Sequence, residues 1–237
     1  AALLKPAFSV RALLTAARAV ERALRRGALP EARRLLAWHL VSRDTRELTA
    51  SEVAGAAIES LAENLGDSVV APLLAHTAGG LAGAYVYRFV NTADAMLGYR
   101  TPEFEWFGKT AARTDDVLNV VPARLAAMLV ALAARVAGGS TARALRTARA
   151  DGGRTPSPNA GWPMAAMAGA LGVCLEKRAA LVGAPRLYVL HADGRAPTVD
   201  DLTRARRIVG LAAVLGTALA AGADQWVDRC APYRARR

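Results

Sequence analysis

The sequence predicts an all-α fold, a polytopic helical membrane protein with about four hydrophobic spans plus amphipathic helices. Three observations lead there. Apolar residues recur at helical spacing in almost every segment that can be read with certainty. Four stretches carry little or no charge and approach the ~20 residues that a bilayer core requires. Those stretches are rich in Ala and Gly, which let helices approach closely inside a membrane. The alternative is four buried helices of a large soluble bundle, which a mean hydropathy of only +0.19 keeps open.

The elements follow in order. Residues 9–26, SVRALLTAARAVERALRR, place Val10, Leu13, Leu14, Ala17, Val20 and Leu24 on one face, with Arg18, Arg22 and Arg25 mostly opposite. That is a basic amphipathic helix. Gly27 and Pro30 break it, and residues 31–41 form a second short helix. Thr49 and Glu52 make a capping box that opens a helix at Ala50. Gly66 ends or kinks it near Leu65. The first span is the uncharged run 68–87, with Pro72 near its start. Residues 88–116 read as a polar connection with turn signals at Gly98 and Thr101-Pro102. A helix is expected from about Asp115, giving a second span over 117–137, which Gly138-Gly139 stops. Residues 140–156 combine a basic helix with a loop. A third uncharged run, 155–175, opens on the turn-rich entry Ser157-Pro158-Asn159 and Gly161-Trp162-Pro163, and a fourth span covers 208–223. Tyr188-Val189-Leu190 reads as a short strand or extended chain, and residues 197–200 cap the last helix. The domain reading is one helical unit over 1–237, with basic amphipathic helices in 1–48 and a membrane and catalytic core in 49–237.

Composition excludes several functions. The chain has 237 residues and a net charge of +11, with 28 Arg, 3 Lys and 55 Ala. The Ala and Arg bias points to a GC-rich genome as much as to any physical need. Two cysteines, Cys174 and Cys230, rule out a disulfide scaffold and a multi-Cys zinc site. Three scattered histidines argue against a His-based metal site. Aromatics at 5% make base stacking a poor explanation of the positive charge. No secretory n-region, h-region and cleavage site can be drawn at the start, and a segment before Ala1 is expected.

Chemistry concentrates in three clusters. Glu52, Glu59, Glu63 and Asp67 fall on one helical stripe, with Asn64 beside them. Stacked like charges repel, so the stripe suggests a hard cation such as Mg²⁺; a solvated face is the plainer reading. Asn91 and Asp94 lie one turn apart just after an apolar run, where an ionisable group is a functional candidate and an Asx cap the simpler alternative. Arg113, Asp115, Asp116 and Asn119 are helical neighbours, followed by Pro122 and Arg124 inside the apolar stretch. The acid pair alone would suit a helix N-terminus, whereas a buried Arg must be paired or bind an anion. All three clusters use carboxylates, carboxamides and Arg, the toolkit of Mg²⁺-phosphate chemistry rather than of Ser or Cys nucleophiles. No P-loop is present, because neither Gly79-Gly80 nor Gly152-Gly153 has the required spacing.

Four blocks together resemble the CobD/CbiB family, the adenosylcobinamide-phosphate synthases of cobalamin biosynthesis. They are ESLAENLGDSVVAPL (59–73), VNTADAMLGY (90–99), FGKTAARTDDVLNVVPARL (107–125) and SPNAGWPMAAMAGAL (157–171). The resemblance runs from about Leu35 to the last span, and the family's initial hydrophobic portion is expected to be missing from this chain. It implies a multi-pass cell-membrane ligase that uses ATP and Mg²⁺. The enzyme would join aminopropanol, free or phosphorylated, to a carboxylate of adenosylcobyric acid, giving adenosylcobinamide or its phosphate. On that basis the expected catalytic residues are Glu59, Glu63, Asp67, Asp94, Asp115, Asp116 and Arg113. Glu63, Asp67, Asp94 and Asp116 are the expected metal ligands and Glu59 the expected base. Arg113 and Arg124 are expected on the phosphate or the activated carboxylate. Asn64, Asn91, Asn119 and Asn159 would orient substrates, and Trp162 would pack on the corrin ring or anchor at the membrane interface. Corrinoid, amine, membrane lipid and a second copy of the chain are the expected partners; nucleic acid is not. Competing readings are a Mg²⁺-dependent membrane phospho- or prenyltransferase, a transporter component and a non-enzymatic basic helical binding protein.

Overall fold

A computed structural model describes residues 8–97, 105–178 and 186–230, and its regular structure is almost wholly helical. The helices are α1 (Val10–Arg25), α2 (Leu29–His39), α3 (Ala50–Leu65), α4 (Ala71–Leu97), α5 (Glu105–Leu118), α6 (Val120–Val136), α7 (Thr141–Asp151), α8 (Gly161–Leu171) and α9 (Val199–Cys230). A π-helical turn, Gly66–Val70, joins α3 to α4. One antiparallel hairpin, β1 (Leu175–Arg178) and β2 (Arg186–Leu190), pairs Leu175 with Leu190 and Lys177 with Tyr188.

Local sequence rules account for the first elements. In α1 the expected apolar stripe is the one that is buried, led by Leu13, Ala17 and Val20. Pro30 sits in the first turn of α2, where its missing N–H is no loss. The capping box at α3 is present in full: Glu52 N–H bonds Thr49 Oγ1, and Thr49 N–H bonds Glu52 Oε2 at 2.8 Å. At α9, Thr198 N–H and Oγ1 both donate to Asp201 Oδ2, and Arg195 clamps the same carboxylate with two bonds of 2.6 and 2.7 Å.

Three expectations change. The run 155–175 is not a span. Its helix, α8, has 11 residues, all but Trp162 buried, and at 1.5 Å per residue it reaches only about 16 Å. It is apolar on every side because it is a core helix. Gly169 lets it close on α7, for a Cβ there would stand 2.5 Å from Thr147 Oγ1. Secondly, α5 starts at Glu105 rather than near Asp115. The turn signals at Gly98 and Thr101-Pro102 lie outside the described residues. Thirdly, α4 is not one rod. Gly79 and Gly80 leave helical geometry, with Gly80 at φ +61°, a conformation open mainly to glycine. Beyond the break the chain turns back on itself, so that a Cβ on Gly83 would collide with the Ala75 carbonyl. A straight helix would separate Asp67 from Arg88 by about 30 Å, yet both line one cavity. The uncharged run 68–87 is therefore a helical hairpin.

By length and composition two helices can cross a membrane, Ala50–Leu97 and Val199–Ala223, or three if the pair Gly108–Leu118 and Val120–Val136, bent by 47°, counts as one. That is fewer than the four expected. The outer surface suits such an environment: Val86, Phe89, Val117, Val121, Val136 and Val214 are each more than 60% exposed. An apolar surface of this extent marks a protein or membrane contact.

The basic helix α1 is tied to α9 through buried Glu21. Its carboxylate accepts from Thr203 Oγ1 at 2.7 Å, Arg206 Nε at 2.9 Å and Arg25 Nε at 3.2 Å. Burial alone would raise its pKa; the bonds from Thr203, Arg206 and Arg25 outweigh it and hold the pKa below the usual value. A lowered carboxylate contributes stability above the ordinary carboxylate range and loses it as pH falls through the lowered value. Glu21→Gln should therefore cost about 1–3 kcal/mol at neutral pH. The gap in melting temperature should close below about pH 4. A constant gap across pH would show that the charge is not what matters.

Candidate active site

The site is assembled on the π turn. As expected, α3 ends at Leu65, and Gly66 opens the π turn that carries Asp67 and Ser68. Single π turns inside helices recur at functional positions because the inserted residue re-aims its neighbours. Upstream, Asn64 is fixed by its Nδ2 bond to Ser60 O at 3.0 Å, and Ser68 Oγ donates to Asn64 Oδ1 at 3.4 Å. Glu63 and Asp67, one turn apart on the predicted stripe, open into the same cavity.

The returning arm of the hairpin supplies the opposite wall. Tyr87 donates to Asn119 Oδ1 at 2.9 Å, and Asn119 Nδ2 donates to Asp115 Oδ2 at 2.9 Å. Asn91 Nδ2 donates to the other oxygen of Asp115 at 3.2 Å, and Arg88 Nη1 donates to Asn91 Oδ1 at 3.3 Å. Asp115 is thus the hub of a chain of side chains from α4, α5 and the break between α5 and α6, where Asn119 sits. Carboxamides suit this position because each donates and accepts, so both oxygens of a partly buried carboxylate are met.

The turn before α8 closes the third side. Asn159, 5% exposed, donates from Nδ2 to Asp116 O at 2.7 Å and accepts from Arg124 Nη1 at 3.1 Å. The Arg124 guanidinium lies 4.6 Å from the Trp162 ring centroid, and Nη1 also bonds Val120 O. A guanidinium over an indole is a favourable cation–π pair. Arg124 and Trp162 consequently lock the loop rather than line the cavity.

The result is a cavity of about 870 Å³ lined by Glu63, Asn64, Asp67, Arg88, Asn91, Asp94, Asp115, Asp116, Asn119 and Asn159 among others. All three predicted clusters meet there. Arg113 does not join them: it is exposed on α5 and is not part of this cavity's wall. Glu59 lies behind Glu63, in an adjoining smaller cavity. Glu52 serves the α3 cap. Arg88, Tyr87, Ser68 and Ser157 were not anticipated. The spacing of Arg88 three residues before Asn91 was a readable signal, whereas Tyr87 was hidden as the last letter of an apolar run.

Five carboxylates face the cavity with Arg88 as the single Lys or Arg on its wall among the described residues. Gathering like charges away from bulk water is unfavourable unless cations or donors compensate. Among the described residues no three His, Cys, Asp or Glu form a group that holds a metal ion unaided. Mg²⁺ does not require one. It is commonly held by one or two carboxylates, water and substrate phosphates, and an all-oxygen wall fits that ion rather than a softer metal.

A family profile described as CobD/Cbib protein matches residues 1–209. The chain belongs to the CobD/CbiB family. It is 48% identical over 177 residues to a protein named Cobalamin biosynthesis protein CobD from Dehalococcoides mccartyi, covering 75% of this chain and 57% of that one. To a protein of Methanothermobacter thermautotrophicus named Probable cobalamin biosynthesis protein CobD it is 42% identical, covering 93% and 71%. A Cobalamin biosynthesis protein CobD of Klebsiella pneumoniae is 38% identical, covering 93% and 69%. The chain thus spans between about half and seven tenths of the length of these CobD/CbiB relatives. No solved structure matches it.

Proposed function

We propose that the chain acts in cobalamin biosynthesis as an ATP-dependent amide ligase in the cell membrane. It would join aminopropanol or its phosphate to a carboxylate of adenosylcobyric acid, yielding adenosylcobinamide or its phosphate. The observation that carries this reading is the convergence of all four family-like blocks on one cavity walled by carboxylates, carboxamides and Arg88. The relatives' names add the pathway.

The chemistry asks for such a wall. A free carboxylate is a poor acyl donor until its oxygen becomes a leaving group. Phosphoryl transfer from ATP does this by giving an acyl phosphate, which the amine attacks with loss of phosphate. Such transfers depend mainly on positioning and charge stabilisation. Glu63, Asp67, Asp94 and Asp116 are the candidate ligands, of which one or two, with water and substrate phosphates, would hold Mg²⁺, whose contribution when bound is to offset phosphate charge. Arg88 supplies a fixed positive charge on the same wall. Asn91, Asn119 and Asn159 orient acceptor and donor groups. Glu59 would take the proton that the amine must lose before it attacks.

The test is direct. Membranes containing the protein are incubated with adenosylcobyric acid, ATP, Mg²⁺ and either form of the amine, and the corrinoid is analysed by mass. An ATP-dependent mass gain matching one amide bond is expected. An unchanged corrinoid, with turnover of a lipid alcohol or prenyl diphosphate instead, would favour the transferase reading.

A further inference from the structure

Beside the main cavity lies a second, of about 210 Å³, bounded by Ser42, Arg43, Glu59, Ser60, Lys177 and Tyr188. The two share Leu40, Val41, Ser42 and Glu63, so they adjoin across one wall. The Glu59 side chain is only 8% exposed. Its Oε1 is buried and has no hydrogen-bond partner. Leaving a carboxylate oxygen so placed is costly unless something supplies a donor. Arg43 does not: its Nη2 stands 3.5 Å from Oε2, longer than the 2.7–2.9 Å typical of a charge-assisted bond. Arg43 therefore keeps donors to spare. Lys177 and Tyr188 face each other across the β-hairpin, so their side chains share one face. Burial, then the negative charge of Glu59, raise the pKa of Tyr188, whose hydroxyl stays a neutral donor.

The cavity thus offers a carboxyl group with one unpartnered oxygen, two cations and neutral hydroxyls. Its volume suits a molecule of about seven to ten non-hydrogen atoms at roughly 20–30 Å³ each. We propose that this cavity is the amine subsite and takes a small zwitterion, with its ammonium on Glu59 Oε1 and its phosphate between Arg43 and Lys177. The shared wall at Glu63 then delivers the amine to the main cavity. That the zwitterion is a substrate rests on the proposed ligase function; that it binds here rests on the geometry alone.

Calorimetry on the full chain in detergent tests it, with aminopropanol phosphate, free aminopropanol and inorganic phosphate as probes. Arg43→Gln and Lys177→Gln should each weaken the phosphorylated amine about tenfold and leave free aminopropanol within twofold. Glu59→Gln should weaken both amines about tenfold and spare inorganic phosphate. Lys177 is only partly buried, on a hairpin, so its variant keeps the test valid if the Glu59 variant misfolds; an unchanged melting temperature checks this. Equal affinity for the phosphorylated amine in Lys177→Gln and the unmutated chain would overturn the subsite, as would no binding by the unmutated chain. Amide formation with an unaltered KM for the amine in Lys177→Gln would sink the subsite and leave the ligase reading standing. Residue-dependent binding without amide formation would do the reverse.

Discussion

Asp67→Asn is expected to lower amide formation by roughly 100-fold, equivalent to about 3 kcal/mol of transition-state stabilisation. The loss should come with a raised Mg²⁺ requirement. Asp67 is the acid that the π turn carries into the cavity, between Glu63 on α3 and Arg88 on the returning arm. Asparagine keeps the shape and removes the charge, so melting temperature should move little. The measurement is turnover in membranes across a Mg²⁺ titration at fixed ATP. Near-normal turnover at every Mg²⁺ concentration would strike Asp67 from the ligand set.

Gly83→Val should have the largest structural effect, a destabilisation of about 3 kcal/mol with loss of activity. A Cβ at this position meets the Ala75 carbonyl, a backbone atom that cannot swing aside. The arms must part, which shifts the returning arm and pulls Tyr87 from Asn119 and Asn91 from Asp115. Gly222→Ala on α9 is the control, since nothing lies within 4 Å of a Cβ there. It should be neutral to stabilising by up to about 1 kcal/mol. Thermal melts and activity on the same preparations decide the matter, and equal behaviour of the two variants would refute the tight turn.

These cases show what was legible. The Thr49–Glu52 box, the buried face of α1 and the carboxylate stripe are local patterns, read from spacings of three, four and seven. Their convergence on one cavity was inferred from chemistry and family likeness. Residues 155–175 were misread because absence of charge is common to a lipid-facing helix and a buried core helix; only the neighbours α6 and α7 distinguish them. The start of α5 was missed because residues 102–109 mix polar and aromatic side chains without a clear period. The Glu59 pocket could not be read at all. Its partners Arg43, Lys177 and Tyr188 come from a loop and a hairpin, and no local rule connects them to α3.

The Gly79-Gly80 reversal has a bearing on how this chain counts its crossings. The helix entering the reversal runs unbroken from Ala50 through the π turn to Ala78, about 40 Å and enough to cross a ~30 Å hydrocarbon layer, and the arm after it brings Arg88 back to the cavity that Asp67 lines. The twenty uncharged residues 68–87 are thus two arms meeting at a glycine pair, and their number alone does not fix the side on which the downstream segments emerge.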